Sequence, residues 1–197
     1  MRSLNEQVVA AEAAIDEANE QDPTLIVVRG VRQPLALAHG RLAAGWVGQL
    51  RPEFGPLLGL AARAHHLRRW EIPRSAFEPG KAGYLRWKRD QRNRHATEAG
   101  EILLSLAFPA DDVTQVQRWI RRDDLRTDIG SQAVEDAACL VFIETQLADV
   151  ATKLERDHLI DVIRKTAKKM SADGLDAVSQ IPLGEVEQDL LAAALGG

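Results

Sequence analysis

Apolar residues recur every three to four positions along most of the chain, which is the period of an amphipathic helix. The pattern predicts a first helix over 4–19, and Asp22-Pro23 marks its end because proline does not continue a helix. The later helices that the same period predicts cover about 34–50, 56–69, 93–107, 112–122, 132–150, 155–170 and 184–195.

Two segments do not follow the helical period. The run LIVV at 25–28 has the composition of a short strand, but we find no second strand-like run to pair with it. We therefore expect an extended connector or a buried helical turn there. The prolines and glycines of the segment 73–83 predict a loop, with a short helix resuming at Tyr84.

The predicted fold is all-α, an irregular multi-helix bundle in a single domain over 1–197. A chain of 197 residues is long enough for one well-buried core. Hydrophobic residues make up 45% and aromatic residues 5%, and this abundance of Leu and Ala over aromatics favours helix. We expect the core over about 5–180, followed by the last helix at about 184–195.

Composition limits the classes of function. No apolar run is long enough to span a bilayer, and the acidic, amphipathic start is not that of a signal peptide. We therefore expect no membrane partner. The single cysteine, Cys139, excludes an intramolecular disulfide, so we expect a cytoplasmic protein. A net charge of -4 argues against general coating of nucleic acid but is compatible with a local anion site.

One basic stretch, Arg63–His95, stands apart from this acidic average. It holds ten of the 25 Lys and Arg residues and three of the five histidines, with aromatic residues between them. Cations grip phosphate groups and aromatic rings stack on bases, so the stretch predicts a site for a phosphorylated ligand. The predicted binding residues are Arg68, Arg69, Arg74, Lys81, Lys88, Trp70, Tyr84 and Trp87.

A second regularity is the presence of ionisable residues on the apolar stripes of four predicted helices. Buried without a partner, such groups are costly, and a divalent transition metal would satisfy imidazoles and a carboxylate together. Taken singly, each is more often a hydrogen-bonded core or surface residue. The predicted metal ligands are His39, His65, His66 and Asp136, with His95 on the fourth helix near them.

The order of these residues resembles the HD-domain superfamily. That all-α fold has a His, a His-Asp pair and a distant Asp that together bind one or two divalent metals. Most members are phosphohydrolases or phosphodiesterases, and a minority are di-iron oxygenases. In this chain the pair is His65-His66, so the carboxylate that usually bridges metals or activates water is absent.

A more specific resemblance covers about 5–180 and rests on HHLRRWEIPRSAF, GKAGYLRWKRDQRNRHA, QAVEDAACLVFIE and IRKTAKKMSADG. These strings resemble the uncharacterised family DUF4202. The resemblance implies a fold but no established activity. It also implies that His66, His95 and Asp136 are typical family positions, which would leave them as a reduced ligand set.

Together, these patterns predict a metal-dependent phosphohydrolase or phosphodiesterase acting on a small, nucleotide-like phosphorylated molecule. The cofactor would be a divalent ion (Mn, Fe, Co, Ni or Zn) that activates water. We expect Glu71 to act as a general base, and His95 either to support a metal ligand or to act as the acid that protonates the leaving group. The alternatives are a non-catalytic module that binds a nucleotide or RNA through the basic stretch, an HD-type di-iron oxygenase, and a structural helical protein with no site.

Overall fold

The computed structural model describes residues 3–196, which form ten α-helices and one two-stranded sheet. The predicted all-α class is confirmed. The helices are α1 (Leu4–Asn19), α2 (Leu35–Leu50), α3 (Pro56–Arg63), α4 (Gly80–Ser105), α5 (Ala110–Arg121), α6 (Ile129–Thr145), α7 (Leu147–Ala151), α8 (Arg156–Ala167), α9 (Ala172–Ala177) and α10 (Glu185–Leu195). Short 3-10 turns lie at Pro52–Phe54, Arg69–Glu71, Arg74–Ala76 and Val178–Gln180.

The centre of the bundle is formed by α2, α3 and α6, with α4 and α5 packed beside them. Small residues let these helices approach closely, which brings polar side chains from different helices together. Gly40 is the clearest case, because a Cβ there would lie 2.5 Å from the Arg63 carbonyl oxygen. The close contact of α2 with α3 at this level sets His39 beside the end of α3.

The segment 25–28 is a strand, so the prediction of a connector or helical turn was wrong. Leu25–Val28 (β1) pairs antiparallel with Val31–Pro34 (β2). Arg29 and Gly30 join the strands with φ of 51° and 80°, the positive values that a tight hairpin turn of this kind requires. The partner strand reads VRQP, which lacks the apolar alternation by which strands are recognised.

The loop predicted over 73–83 is correct for residues 73–79, which hold only a 3-10 turn. From Gly80 onward, a single helix of 26 residues, α4, replaces the end of that loop, the short helix at Tyr84 and the separate helix over 93–107. The chain enters it through Gly80, whose φ is +85°. A Cβ at Gly83 would lie 1.9 Å from the Glu78 carbonyl oxygen, so glycine there allows a sharp turn into the first helical turn. The glycines that predicted a loop therefore form the start of the helix.

Two other predicted helices have different bounds. The third ends at Arg63 rather than near 69, and residues 64–68 form a turn in which Arg68 has a left-handed φ of 48°. The helix predicted over 132–150 is divided into α6 and α7. Over residues 3–196, no helix has both the length and the apolar content needed to cross a membrane.

Candidate functional site

Four histidines from three parts of the fold meet in the interior, and we call them the histidine cluster. His39 comes from α2, His65 and His66 from the turn after α3, and His95 from α4. His66 is central, with its ring centroid 3.9 Å from that of His65, 5.6 Å from that of His39 and 6.3 Å from that of His95. His39, His65 and His95 are each at most 3% exposed, whereas His66 is partly buried.

The turn after α3 explains how two adjacent histidines join one cluster. Neighbouring side chains on a helix diverge by about 100°, which would send the two rings to different faces. Because α3 ends at Arg63, the rings of His65 and His66 instead stack with an interplanar angle of 29°. His65 Nδ1 donates to the Ala62 carbonyl oxygen at 2.7 Å, which fixes its ring.

Hydrogen bonds assign the ring nitrogens that carry lone pairs. The Thr145 hydroxyl donates its one proton to the Val141 carbonyl oxygen at 2.6 Å. It must therefore accept from His39 Nε2, which lies 3.1 Å away. This leaves a lone pair on His39 Nδ1, 3.4 Å from His66 Nδ1. By the same reasoning, His65 carries its lone pair on Nε2, since its Nδ1 is the donor.

The histidine cluster is electrically neutral near pH 7. Burial, and then the charge of Arg69, lower the pKa of His39 to about 4 and that of His95 to about 3. Burial also lowers the pKa of His65 and His66 well below the usual value. These four rings are therefore hydrogen-bond or lone-pair groups rather than cations.

Three ring nitrogens of the cluster are buried without a hydrogen-bond partner: His65 Nε2, His95 Nδ1 and His95 Nε2. The Leu67 backbone approaches His95 and partly offsets the decrease of its pKa, but the geometry is not that of a hydrogen bond. Buried polar atoms normally have partners, so three nitrogens of one cluster that have none among residues 3–196 are a feature of a ligand site.

The donor set fits a transition metal in part. A tetrahedral ion with metal–nitrogen bonds of 2.0–2.1 Å has ligand atoms about 3.3 Å apart. The separation of His39 Nδ1 and His66 Nδ1 is 3.4 Å, which matches that edge and is long for a hydrogen bond. Within residues 3–196, no group of three or more His, Cys, Asp or Glu side chains is spaced to hold an ion, so a third ring would have to turn.

Asp136 is on α6, and its carboxylate lies against the start of α9 rather than beside the histidines. Its Oδ1 accepts from Gln132 Nε2 at 2.8 Å and from the Ser171 backbone N–H at 2.9 Å, and its Oδ2 accepts from the Ser171 hydroxyl at 2.6 Å. Gly174 packs against the carboxylate, where a Cβ would be 2.7 Å from Asp136 Cγ. The structure does not bring Asp136 to the histidines, and ligation by it would require Ser171 to release it.

A group of basic side chains lies beside the histidines, and we call it the cationic cluster. Arg69 joins the two groups, because its charge acts on His39, His66 and His95 and its guanidinium lies 4.4 Å from the centroid of the Trp87 ring. The members are Arg69, Lys88, Arg92, Arg122 and Lys169, and each acts electrostatically on at least one other member.

One buried carboxylate, Glu135 on α6, lies within the cationic cluster. Its Oε2 is 2.9 Å from Arg92 Nη2 and 2.6 Å from Arg122 Nε. Burial alone would raise the pKa of Glu135, but Arg122 and Arg92 outweigh that effect and lower it. Glu135 is therefore ionised and neutralises one of the five cations.

Within residues 3–196, the remaining positive charge of the cationic cluster has no carboxylate to neutralise it. Burial first, and neighbouring cations with it, lower the pKa of Lys88 to about 8 and that of Arg92 to about 10. Burial likewise lowers the pKa of Arg69 to about 10. Among residues 3–196, Arg69, Lys88 and Lys169 have no carboxylate within ion-pair distance. An anion from solution would satisfy them.

Several predicted site residues are held by the protein's own groups instead. Arg68 pairs with Glu98 at 3.5 Å, and Glu71 pairs with Arg94 on α4. Arg74 donates to the backbone carbonyls of residues 77, 78 and 80, at 2.8 to 3.2 Å. These three side chains hold the segment between α3 and α4, and none contacts the histidine cluster through a hydrogen bond or ion pair.

The aromatic residues and Lys81 are placed as follows. Trp87 Nε1 donates to the Ile72 carbonyl oxygen at 3.0 Å, so its ring is fixed under Arg69. Tyr84 is 44% exposed, and Lys88 Nζ lies 5.7 Å from its ring centroid. Trp70 is partly buried and Lys81 is exposed. Tyr84 is therefore the aromatic ring most open to a ligand beside the cationic cluster.

Sequence reasoning missed Arg92, Arg122, Lys169, Glu135 and Thr145. Arg92 follows Lys88 by four residues, so the helical period placed both on one face of α4 and was a usable signal. Arg122 and Glu135 are 13 residues apart and give no local pattern. Their pairing depends on how α5 and α6 pack, since Arg122 follows the end of α5 with a left-handed φ of 60°.

The fold and the site define an all-α protein with a neutral histidine cluster beside an anion-attracting cationic cluster. The profile of DUF4202, a domain of unknown function, matches residues 9–191, and the chain belongs to that family. No curated protein and no solved structure matches the chain.

Proposed function

We propose that this protein is a metal-dependent phosphohydrolase or phosphodiesterase that acts on a small, nucleotide-like phosphorylated molecule. The observation that carries the proposal is the proximity of two kinds of group. Neutral imidazoles, which present lone pairs to a metal, lie within the electrostatic influence of Arg69, a cation that has no carboxylate partner among residues 3–196. The meeting of histidines from α2, the end of α3 and α4 is also why we propose an HD-like arrangement for this bundle.

His39 and His66 would hold the divalent ion through their Nδ1 atoms, which already have the spacing of two ligands. His95 is the best third donor, because neither of its ring nitrogens has a hydrogen bond to lose when the ring turns. A bound ion would lower the pKa of its water and polarise the phosphoryl oxygen. A pKa of about 3 makes His95 a poor general acid near pH 7, so we propose a donor role instead of the leaving-group role.

The other residues of the chain bind and orient the substrate. Arg69 and Lys88 would hold phosphate oxygens, with Arg69 fixed in direction by the Trp87 ring. Tyr84 offers an exposed ring for stacking on a base. Glu71 is exposed and paired with Arg94, which places it poorly for the predicted role of general base.

The test uses untagged protein purified without chelator. We expect about one equivalent of Mn, Fe, Co, Ni or Zn by elemental analysis, and hydrolysis of phosphate esters that depends on it. His66→Ala should remove both metal and activity, whereas His158→Ala, which changes an exposed imidazole, should remove neither. Absence of metal together with failure of uptake on reconstitution would contradict the proposal, and so would undiminished activity in His66→Ala.

The position of Asp136 favours a second candidate, a non-catalytic module that binds a nucleotide or RNA. With that carboxylate engaged by Ser171, the site loses the acidic ligand that hydrolysis would use. The module would bind its ligand equally well in EDTA, with affinity falling steeply as salt rises. The di-iron alternative also relies on carboxylate ligands, so the geometry favours it least.

A further inference from the structure

The cationic cluster carries more positive charge than one phosphate group would neutralise. Arg122, Arg92, Lys88 and Lys169 act electrostatically on one carboxylate, Glu135, and Arg69 acts on Arg92. Within residues 3–196, the five cations of the cluster and this one carboxylate therefore leave an excess of four positive charges. A phosphate monoester carries about -1.5 to -2 near pH 7. A single phosphate would therefore leave about half of the excess unmatched in a partly buried site, where unmatched charge is costly.

The geometry distributes this charge along a surface rather than at one point. Lys88 and Arg92 lie one turn apart on the same face of α4. The Arg122 side chain is 4% exposed and pairs with Glu135, so this buried ion pair neutralises the carboxylate. Arg92 is 28% exposed at its side chain, and Lys169 is exposed on the segment after α8. The other four cations of the cluster, which differ in exposure, are thus left for a ligand.

We propose that the cationic cluster is a polyphosphate subsite that takes a ligand with two or three linked phosphate groups. Arg92, Arg122, Lys169 and Glu135 are the residues that this subsite adds to the proposed active site. Arg69 and Arg92 contact the phosphate nearest the histidines, because Arg92 is three residues from His95 on α4, and Lys88 with Lys169 contact the phosphates beyond it. This inference rests on the proposed function for the identity of the ligand as a substrate, but the binding itself requires no metal and no catalysis.

Glu135 has a defined part in the subsite. Without it, Arg92 and Arg122 would repel each other at close range, and Arg92 would have no fixed direction. The ion pairs hold both guanidinium groups in place while the cluster remains strongly positive. Such preorganised charge favours a ligand with several anionic groups over a single anion, because the fold already holds the cations together and binding need not order them.

The experiment measures binding of inorganic phosphate, pyrophosphate and tripolyphosphate by calorimetry in EDTA. We expect affinity to rise by about tenfold with each added phosphate. Lys88→Gln and Lys169→Gln should each weaken tripolyphosphate binding by about tenfold, and both should change orthophosphate binding less. Arg89→Gln is the matched control, since Arg89 is on the same helix, 69% exposed at its side chain, and paired with Asp90.

Equal affinity for the three anions would overturn the inference, as would equal losses in Arg89→Gln and Lys88→Gln. Tighter binding of single-stranded RNA than of tripolyphosphate in the same buffer would also overturn it and favour an RNA surface. Thermal unfolding of each variant excludes a folding defect, which is not expected for the exposed Lys169. Because no metal is present, polyphosphate binding without hydrolysis would support this subsite even if the proposed hydrolase activity failed.

Discussion

The histidine cluster and the cationic cluster share helix α4, yet the protein keeps one neutral and the other charged. His95 lies in the core with an exposure of 0%, whereas Lys88, two turns earlier, is only partly buried. The difference follows from depth and from partners. Imidazoles lose their proton when buried, while guanidinium groups keep theirs and are stabilised by the ionised Glu135.

The comparison separates two chemical tasks, and the basic stretch Arg63–His95 contributes residues to both. The deeper group offers lone pairs, which bind metals and cannot attract anions. The shallower group offers positive charge, which attracts anions and cannot bind metals. Arg69 lies between them, and its charge helps to keep His39 and His95 deprotonated. The positive charge of Arg69 therefore helps to keep the histidine cluster neutral.

Among the tests of this difference between the two clusters, a decrease in pH should have the largest effect, because protons bind to the histidines. The folded-state pKa of His39 is about 4 and that of His95 about 3, both below an unfolded value of 6.5. As the pH falls below 6.5, the unfolded chain binds protons first, so the free energy of unfolding of the metal-free protein should decrease. Each histidine contributes about 1.4 kcal/mol per pH unit, until the pH reaches its folded pKa.

Urea unfolding at pH 7, 6 and 5 in EDTA measures this slope, in a range where Glu135 stays ionised. His95→Gln should reduce the dependence of the free energy of unfolding on pH by the contribution of one histidine, about 1.4 kcal/mol per pH unit. His158→Gln, which changes an exposed imidazole, is the control. A stability that does not change between pH 7 and pH 5 would contradict the neutral state of the histidine cluster.

Substitutions at two adjacent arginines test the role of the cationic cluster in anion binding. Arg69→Gln should weaken pyrophosphate binding by about 100-fold, since it removes charge-assisted hydrogen bonds from a side chain that has no acidic partner. Arg68→Gln should change it by less than about threefold, because Arg68 is paired with Glu98. Calorimetry on both variants gives the comparison directly. Equal losses would mean that only net charge matters.

A substitution at Thr145 tests the lone pairs of the histidine cluster, and its expected effect is the smallest of the three. Thr145→Val keeps the shape of the side chain but removes the acceptor that holds the proton on His39 Nε2. We expect metal affinity to fall by about tenfold, with phosphate binding in EDTA unchanged. The control is Thr166→Val, where the hydroxyl donates to the Val162 carbonyl oxygen without a histidine partner. Metal affinity that falls equally in both variants would contradict a tautomer-fixing role.

Most of the helical architecture could be predicted because each helix has its own apolar stripe. The exceptions occur where long-range packing decides. Gly83 predicted a loop, but its lack of a Cβ serves a close approach to the Glu78 carbonyl at the start of α4. The hairpin was missed because β2 is short and polar, and its turn residues Arg29 and Gly30 gave a weaker signal than the missing partner strand.

The candidate site was predictable to a similar degree. Polar residues on apolar stripes identified His39, His65 and His95 as interior groups, and all three are buried. The same rule gave Asp136, which is buried too, but the stripe does not say which neighbour it meets, and that neighbour is Ser171. The pairing of Glu135 with Arg122 depends on two helices separated in sequence, so no local pattern could reveal it.

The continuity of α4 gives the site a fixed scale of length. Lys88 and His95 are seven residues apart on one uninterrupted helix, which sets them about 10 Å apart along its axis. A rigid helix holds that interval whatever the ligand does. The helix therefore selects ligands by length. A molecule that contacts both Lys88 and the imidazoles must be long enough to cover this distance, and a shorter anion reaches only one of the two groups.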